Sequence, residues 1–138
     1  MYVANVWYYL IMKVSSKEIY RMFGGKLHGH KVMKDFVCRA LAKFPVDIID
    51  HITTDCWFLG STQDAWAYAF RGDEVAGKHL IILSDSLWDQ PEEDIFYTIA
   101  HEIGHVVLGH RNAILEPQTK SETARQEREA RAFALKYV

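Results

Sequence analysis

Residues 97–110 read YTIAHEIGHVVLGH and contain the pattern His-Glu-x-x-His, formed by His101, Glu102 and His105. An α-helix turns by about 100° per residue, so residues four positions apart lie on one face, one turn from each other. Both imidazoles can therefore reach a single metal ion. Glu102 lies beside that face, where it can reach a water molecule on the ion without displacing it. The pattern is typical of a zinc site on a helix.

The residues around this pattern favour a long amphipathic helix. Segment 89–94, DQPEED, offers a polar cap, a proline in the first turn and three carboxylates near the positive end of the helix dipole. Apolar residues continue at helical spacing to Leu108, and Gly109 is a typical stop. We therefore predict one helix from this segment to Leu108, with the His-Glu-x-x-His pattern inside it.

His110, the histidine that follows the predicted helix, is a poor candidate for the third metal ligand. Catalytic zinc normally takes three protein ligands and leaves a fourth position for water. His110 comes nine residues after His101, half a turn away on a continuing helix, whereas the related pattern with a third histidine needs a spacing of ten. We interpret His110 as a helix-end residue whose protonated form is favoured by the C-terminal dipole.

A last helix, predicted from about Lys120 to Tyr137, offers better candidates. Glu127 shares a face with small residues of this helix, and a carboxylate on a buried face is costly unless it is paired or bound to metal. Glu129 instead groups with Arg125 and Arg128 in what we interpret as a solvated, ion-paired surface. Glu127 is the preferred third ligand and Glu129 the alternative, because helix phase from sequence is uncertain by a residue or two.

The rest of the chain predicts a small α+β domain. Helices are expected at about 15–23, 30–44 and 46–52, from capping residues and apolar spacing. Segments 55–60, 65–70 and 79–83 have the pattern of strands. We expect a short, mostly antiparallel sheet of about three strands, packed on the His-Glu-x-x-His helix and on the other helices.

Length and charge favour a single small domain and argue against a protein that binds nucleic acid. The chain has 138 residues and a formal net charge of −2, so we expect one domain over residues 1–138 and no direct contact with nucleic acid. The apolar segment Val3–Met12 is too short to span a membrane, and residues 1–11 could precede the true start. Cys38 and Cys56 are interpreted as buried thiols that suit a reducing cytoplasm.

At this point the chain resembles a known family. Residues 97–110, preceded by the strand at 80–83 and followed by EREARAFA at 127–134, are similar to the ImmA/IrrE family of gluzincin-type metallopeptidases and to the minimal minigluzincins. The resemblance covers roughly residues 81–134 and implies a zincin-like fold. It also implies one zinc ion held by His101, His105 and Glu127. Arg131 stands where the family usually has Asn or Asp.

The residues and the resemblance together predict a zinc metalloendopeptidase. Glu102 is expected to take the proton of the attacking water and hand it to the leaving amine. The expected partners are a peptide or protein substrate and, as a further candidate, a regulatory protein. The alternative is a zinc-binding regulatory or interaction module of the same fold with little or no peptidase activity. A third reading is a metal-free helical interaction domain, and Mn²⁺, Fe²⁺ or Co²⁺ also suit these ligands.

An electrophile for the developing oxyanion is not evident. Larger gluzincins supply it from a domain after the third ligand, whereas eleven residues follow Glu127 here, so we expect an open cleft or a partner that completes it. Tyr137, His79, Tyr68 and Arg71 are equal candidates.

Two further segments could contribute to function. The strand at residues 66–70 could pair with an extended substrate, although its alternating aromatics more often form a core. His28-Gly29-His30 is interpreted as a loop rather than a second metal site.

Overall fold

The computed structural model describes residues 13–61, 79–110 and 118–138 of the chain. Five α-helices, three strands and one 3₁₀ helix lie within these ranges. In chain order they are α1 (Ser16–Phe23), β1 (Leu27–His28), α2 (Lys31–Leu41), α3 (Val46–Asp55), β2 (Cys56–Ser61), β3 (His79–Ser84), the 3₁₀ helix (Asp85–Asp89), α4 (Glu92–Val107) and α5 (Lys120–Tyr137). The α+β class is therefore confirmed for the described residues.

Hydrogen bonds at the helix ends explain where several helices begin and stop. The hydroxyl of Ser15 accepts from the Glu18 amide at 3.2 Å, and that of Thr119 accepts from the Glu122 amide at 3.0 Å, so both predicted caps are confirmed. Gly24 ends α1 with φ at 57°, a left-handed conformation that glycine adopts without a side-chain clash.

The sheet corrects the expected strand direction. The strand order is β1-β2-β3 and both pairings are parallel, with Leu27 opposite Phe58 and Phe58 opposite Ile81. We predicted a mostly antiparallel sheet because strand-like segments follow one another closely. A parallel pair needs a crossover of about a dozen residues or more, and residues 62–78 between β2 and β3 provide that length.

Helix α4 lies at the centre of the helical layer. Its buried face carries Ile95, Phe96, Ile99, Ala100, Ile103 and Gly104. On one side it packs against α2, where the guanidinium of Arg39 pairs with Glu92 and lies 5.2 Å from the rings of Phe36 and Phe96. On the other side it packs along α5. These contacts hold residues 101–105 on a rigid element.

Helix α5 approaches α4 closely at Gly104. A Cβ atom at this position would lie 2.9 Å from Cδ1 of Phe133 and 3.4 Å from the carbonyl oxygen of Ala130. The aromatic ring of Phe133 also packs against Phe44 and Tyr137, with ring centroids 5.7 and 5.1 Å apart. The absence of a side chain at Gly104 therefore allows the two helices to lie side by side.

Several sequence predictions concern residues outside the described ranges. They are the apolar segment Val3–Met12, the strand at 66–70 and the side chains of Tyr68 and Arg71. Among the described residues, Cys38 and Cys56 are buried, as predicted, and form no disulfide with each other. None of the helices that the structure describes is both long enough and apolar enough to cross a bilayer.

Candidate metal centre

Three predicted ligands converge between α4 and α5. Nε2 of His101 lies 3.0 Å from Oε2 of Glu127, and Nε2 of His105 lies 3.2 Å from Oε1 of the same carboxylate. One potential donor atom from each residue lies within 4.8 Å of the other two. This is the only group of three or more possible metal ligands among the described residues.

The two helices place these side chains by simple geometry. His101 and His105 are one turn apart on α4, and their rings meet edge to face with centroids 4.7 Å apart. Glu127 lies in the first half of α5, near the place where Gly104 admits the ring of Phe133 from the same helix. The close helix pair thus brings a carboxylate from α5 to both imidazoles of α4.

The donor set suits a zinc ion. Two imidazole nitrogens and one carboxylate form a ligand combination found in catalytic zinc sites. Tetrahedral zinc with bonds of about 2.0–2.2 Å separates its ligand atoms by about 3.3–3.6 Å. The 3.0 and 3.2 Å separations between the Glu127 oxygens and the imidazoles are close to that spacing, so small side-chain adjustments would admit the ion.

Glu102 lies beside this cluster and is not part of it. Its Oε1 is 3.6 Å from Nδ1 of His101, and its side chain is 40% exposed. The carboxylate is therefore open to water, and its contact is with the ring nitrogen of His101 that does not face Glu127.

His110 differs from the sequence prediction. Its Nδ1 lies 2.9 Å from Nδ1 of His105, and its side chain is only 5% exposed. Burial, with a smaller contribution from the neighbouring His105, lowers the pKa of His110, so its neutral form is favoured. His110 follows the end of α4 as predicted, but its protonated form is not favoured, because the imidazole turns inward against His105.

The hydrogen bond between these histidines assigns complementary roles to their ring nitrogens. Nε2 of His105 faces Glu127, so its Nδ1 can donate to Nδ1 of a neutral His110. Nε2 of His110 would then carry a hydrogen. That atom is buried and has no hydrogen-bond partner among the residues that the structure describes, where Oε1 of Glu129 lies 3.7 Å away.

The side chain of Glu127 is more exposed than the sequence argument expected. We expected it on the buried face of α5, yet its side chain is 55% exposed. The buried residues of that helix are Gln126, Ala130 and Ala134, and Gln126 is the polar one. Glu127 therefore lies at the edge of the buried face, where it can contact the histidines while water still reaches it.

Glu129 takes the surface position expected of it. Its Oε1 is 2.8 Å from Nη1 of Arg125, so that predicted ion pair is confirmed. Arg128, which we had grouped with this pair, is exposed as expected, and it also lines a pocket beside the cluster.

The pocket has a volume of about 200 Å³ and is lined by Tyr97, His101, Glu127, Arg128 and Arg131. The ring of Tyr97 stacks on that of His101 with centroids 6.0 Å apart. Sequence reasoning missed Tyr97, although its position one turn before His101 places it on the same face of α4. It also missed the two arginines as neighbours of the candidate metal ligands.

The other proposed residues lie elsewhere. Tyr137 packs against Phe44 with ring centroids 4.7 Å apart, and neither it nor His79 lines the pocket. His28 stacks on Trp57, and Nδ1 of His30 accepts a hydrogen bond from the Met33 amide. The loop interpretation is wrong for His28, which lies in β1, and His30 caps α2.

An α+β scaffold with two imidazoles and a carboxylate converging from neighbouring helices defines a candidate mononuclear metal site. Comparison with family models identifies the family. The model of a peptidase family, described as the IrrE N-terminal-like domain, matches residues 60–138, which is more than half of the chain. The chain belongs to this family, and the predicted ImmA/IrrE resemblance is confirmed. Searches of the curated proteins and of the solved structures each returned no significant match.

Proposed function

We propose that this protein is a zinc-dependent metallopeptidase. The observation that carries the proposal is the convergence of His101, His105 and Glu127, with Glu102 beside them. Membership of a peptidase family supports the same reaction class. The sequence argument preferred the same three ligands, and their convergence supports that choice.

The site is proposed to hold one zinc ion per chain through these three side chains. Zinc in such a site lowers the pKa of bound water to about 7 and polarises a substrate carbonyl. The open pocket beside His101 and Glu127 gives an extended peptide a route to this position. The exposure of the Glu127 carboxylate fits a site that keeps one coordination position for water.

Glu102 is proposed to act as the general base and then as the general acid. A carboxylate on the same helix as the two imidazoles, and open to water, can accept the proton of the attacking water. It can then donate that proton to the departing amine nitrogen. No described residue contacts Glu102 closely enough to fix it in another role, apart from Nδ1 of His101 at 3.6 Å.

His110 is proposed to orient His105. The 2.9 Å contact between the Nδ1 atoms holds the ring so that Nε2 faces the ligand cluster. Partners of this kind commonly fix the tautomer and the ring orientation of a metal-binding histidine. Cys38 and Cys56 are buried and form no disulfide with each other, which supports our proposal that the protein works in a reducing compartment, the cytoplasm.

The experiment compares wild type with Glu102→Gln, both loaded with zinc, on a proteome-derived peptide mixture. Wild type is expected to cleave peptide bonds, and Glu102→Gln is expected to keep about one zinc per chain while it loses cleavage by about 100-fold or more. Cleavage by Glu102→Gln at the wild-type rate would contradict the proposal. Zinc binding without cleavage by wild type would instead favour the regulatory or interaction module.

A further inference from the structure

Two arginines beside the candidate metal centre have no ionic partner among the residues that the structure describes. Arg128 and Arg131 line the pocket together with Tyr97, His101 and Glu127. Elsewhere on α5, Arg125 is paired with Glu129 at 2.8 Å. The two pocket arginines therefore differ from their neighbour on the same helix.

The missing partner of Arg131 has a structural cause. Arg131 comes four residues after Glu127, a spacing at which Glu and Arg on a helix usually pair. Here both oxygens of Glu127 face the imidazoles of His101 and His105 instead. The carboxylate that serves the metal site is thus withdrawn from the arginine one turn away.

Arg128 has no acidic neighbour on its own helix. The positions three and four residues away from it are Ala124, Arg125, Arg131 and Ala132. The pocket wall therefore carries two arginine charges and one carboxylate, that of Glu127, whose oxygens face the two imidazoles. An excess of positive charge in a cleft attracts ligands of negative charge.

We propose that Arg128 and Arg131 bind a carboxylate of the polypeptide substrate next to the bond that is cleaved. This inference rests on the proposed function and adds the class of substrate. A guanidinium group binds a carboxylate through two parallel hydrogen bonds, which favours Asp, Glu or a chain terminus over neutral groups. The position of the pocket against His101 and Glu127 sets the carboxylate close to the reacting peptide group.

The carboxylate can come from an acidic side chain or from the C-terminus of the substrate, and the experiment separates these sources. Cleavage sites in a proteome-derived peptide mixture first locate the preferred residues. One efficiently cleaved sequence is then synthesised in four forms, with Glu or Gln at the selected position and with a free or an amidated C-terminus. Wild type is expected to show a kcat/KM about 10-fold higher for the form that carries the recognised carboxylate.

Variants assign this preference to the two arginines. In Arg128→Gln/Arg131→Gln, the ratio of kcat/KM between acidic and neutral peptides is expected to fall to about 1. Arg125→Gln is the matched control, because it removes one positive charge from the same helix outside the pocket. It is expected to keep the wild-type ratio, and zinc content is measured in every variant.

Binding provides a second readout that does not need catalysis. Fluorescence anisotropy measures how the same labelled peptides bind to zinc-loaded Glu102→Gln, with and without the two arginine substitutions. Equal binding and cleavage of acidic and neutral peptides would overturn the inference and leave the proposed peptidase intact. Loss of zinc from the double arginine variant would also overturn it, since the arginines would then support the metal site. Absence of cleavage with a retained, arginine-dependent preference in binding would contradict the peptidase alone.

Discussion

The imidazole of His110 lies behind that of His105, with the two Nδ1 atoms 2.9 Å apart. His105 thereby has one ring nitrogen toward Glu127 and the other toward a buried acceptor. A ligand held at both nitrogens has little freedom to rotate. His110, which follows the end of α4, thus contacts His105 at the ring nitrogen that does not face Glu127.

Replacement of His110 is expected to weaken zinc binding. His110→Ala removes the acceptor for His105 Nδ1 and should lower zinc affinity by about 10–100-fold, the usual cost of losing such a partner. Chelator competition measures this affinity. His110→Asn places an acceptor near the position of Nδ1 and should recover part of the loss, whereas His110→Gln should not. Zinc affinity in His110→Ala equal to that of wild type would refute the role of His110.

Substitutions at Glu127 and Glu129 distinguish the two candidate ligands. Glu127→Ala removes a donor from the cluster and is expected to lower zinc affinity by more than about 100-fold, beyond the cost of losing a supporting residue. Glu129→Ala breaks the ion pair with Arg125 on the surface and should keep about one zinc per chain. Metal analysis after dialysis tests both variants. Zinc retained in Glu127→Ala and lost in Glu129→Ala would move the ligand to Glu129.

A methyl group at Gly104 is expected to separate α4 from α5. Alanine is favoured over glycine within a helix by about 1 kcal/mol, but its Cβ would lie 2.9 Å from the ring of Phe133. Overpacking of this kind costs about 1–3 kcal/mol, so we predict that Gly104→Ala lowers the free energy of unfolding and weakens zinc binding. Urea unfolding and chelator competition measure the two effects.

A second substitution tests the cause. Phe133→Leu removes the ring that meets the new methyl group, so the double variant should be destabilised by less than the sum of the single effects. Additive effects would show that the contact with Phe133 is not what opposes a side chain at Gly104.

The thiol of Cys38 provides a prediction about pH. Burial, with a smaller contribution from Asp35, raises its pKa from 9.0 to about 11. The folded state then retains the proton that the unfolded state loses, so this contribution to stability is complete below about pH 9 and is lost as the pH rises toward 11. Cys38→Ala should lose less stability than wild type over that interval, by up to about 3 kcal/mol. Urea unfolding at pH 8 and pH 10.5 measures the free energy of unfolding of wild type and of Cys38→Ala. An equal change between the two pH values in both proteins would contradict the raised pKa of the Cys38 thiol.

The helical part of the fold was predictable from local signals. Ser15 and Thr119 act as caps, and the apolar spacing around residues 92–107 indicated α4, because these features depend on neighbouring residues in the chain. The strand direction was not predictable in this way. Leu27 pairs with Phe58, and Phe58 with Ile81, through contacts between distant residues whose local pattern is compatible with either direction.

The candidate site also combines local signals with tertiary packing. His101, Glu102 and His105 follow from spacing on one helix, whereas Glu127 was chosen for a buried face that its exposed side chain does not occupy. The burial of His110 and the pocket positions of Arg128 and Arg131 depend on how α4 and α5 pack and on the turn at Gly109. Local spacing predicted the exposure of Arg128, which is confirmed, but not the inward turn of His110.

Zinc K-edge X-ray absorption on the purified, zinc-loaded protein tests the central claim most directly. The account predicts about one zinc per chain with two imidazole nitrogens at about 2.0–2.1 Å and carboxylate oxygen at about 2.0–2.2 Å. The same spectrum from Glu127→Ala should lack this environment. A sulfur shell at about 2.3 Å, or wild-type protein that binds no stoichiometric zinc, would contradict a metal centre built from His101, His105 and Glu127.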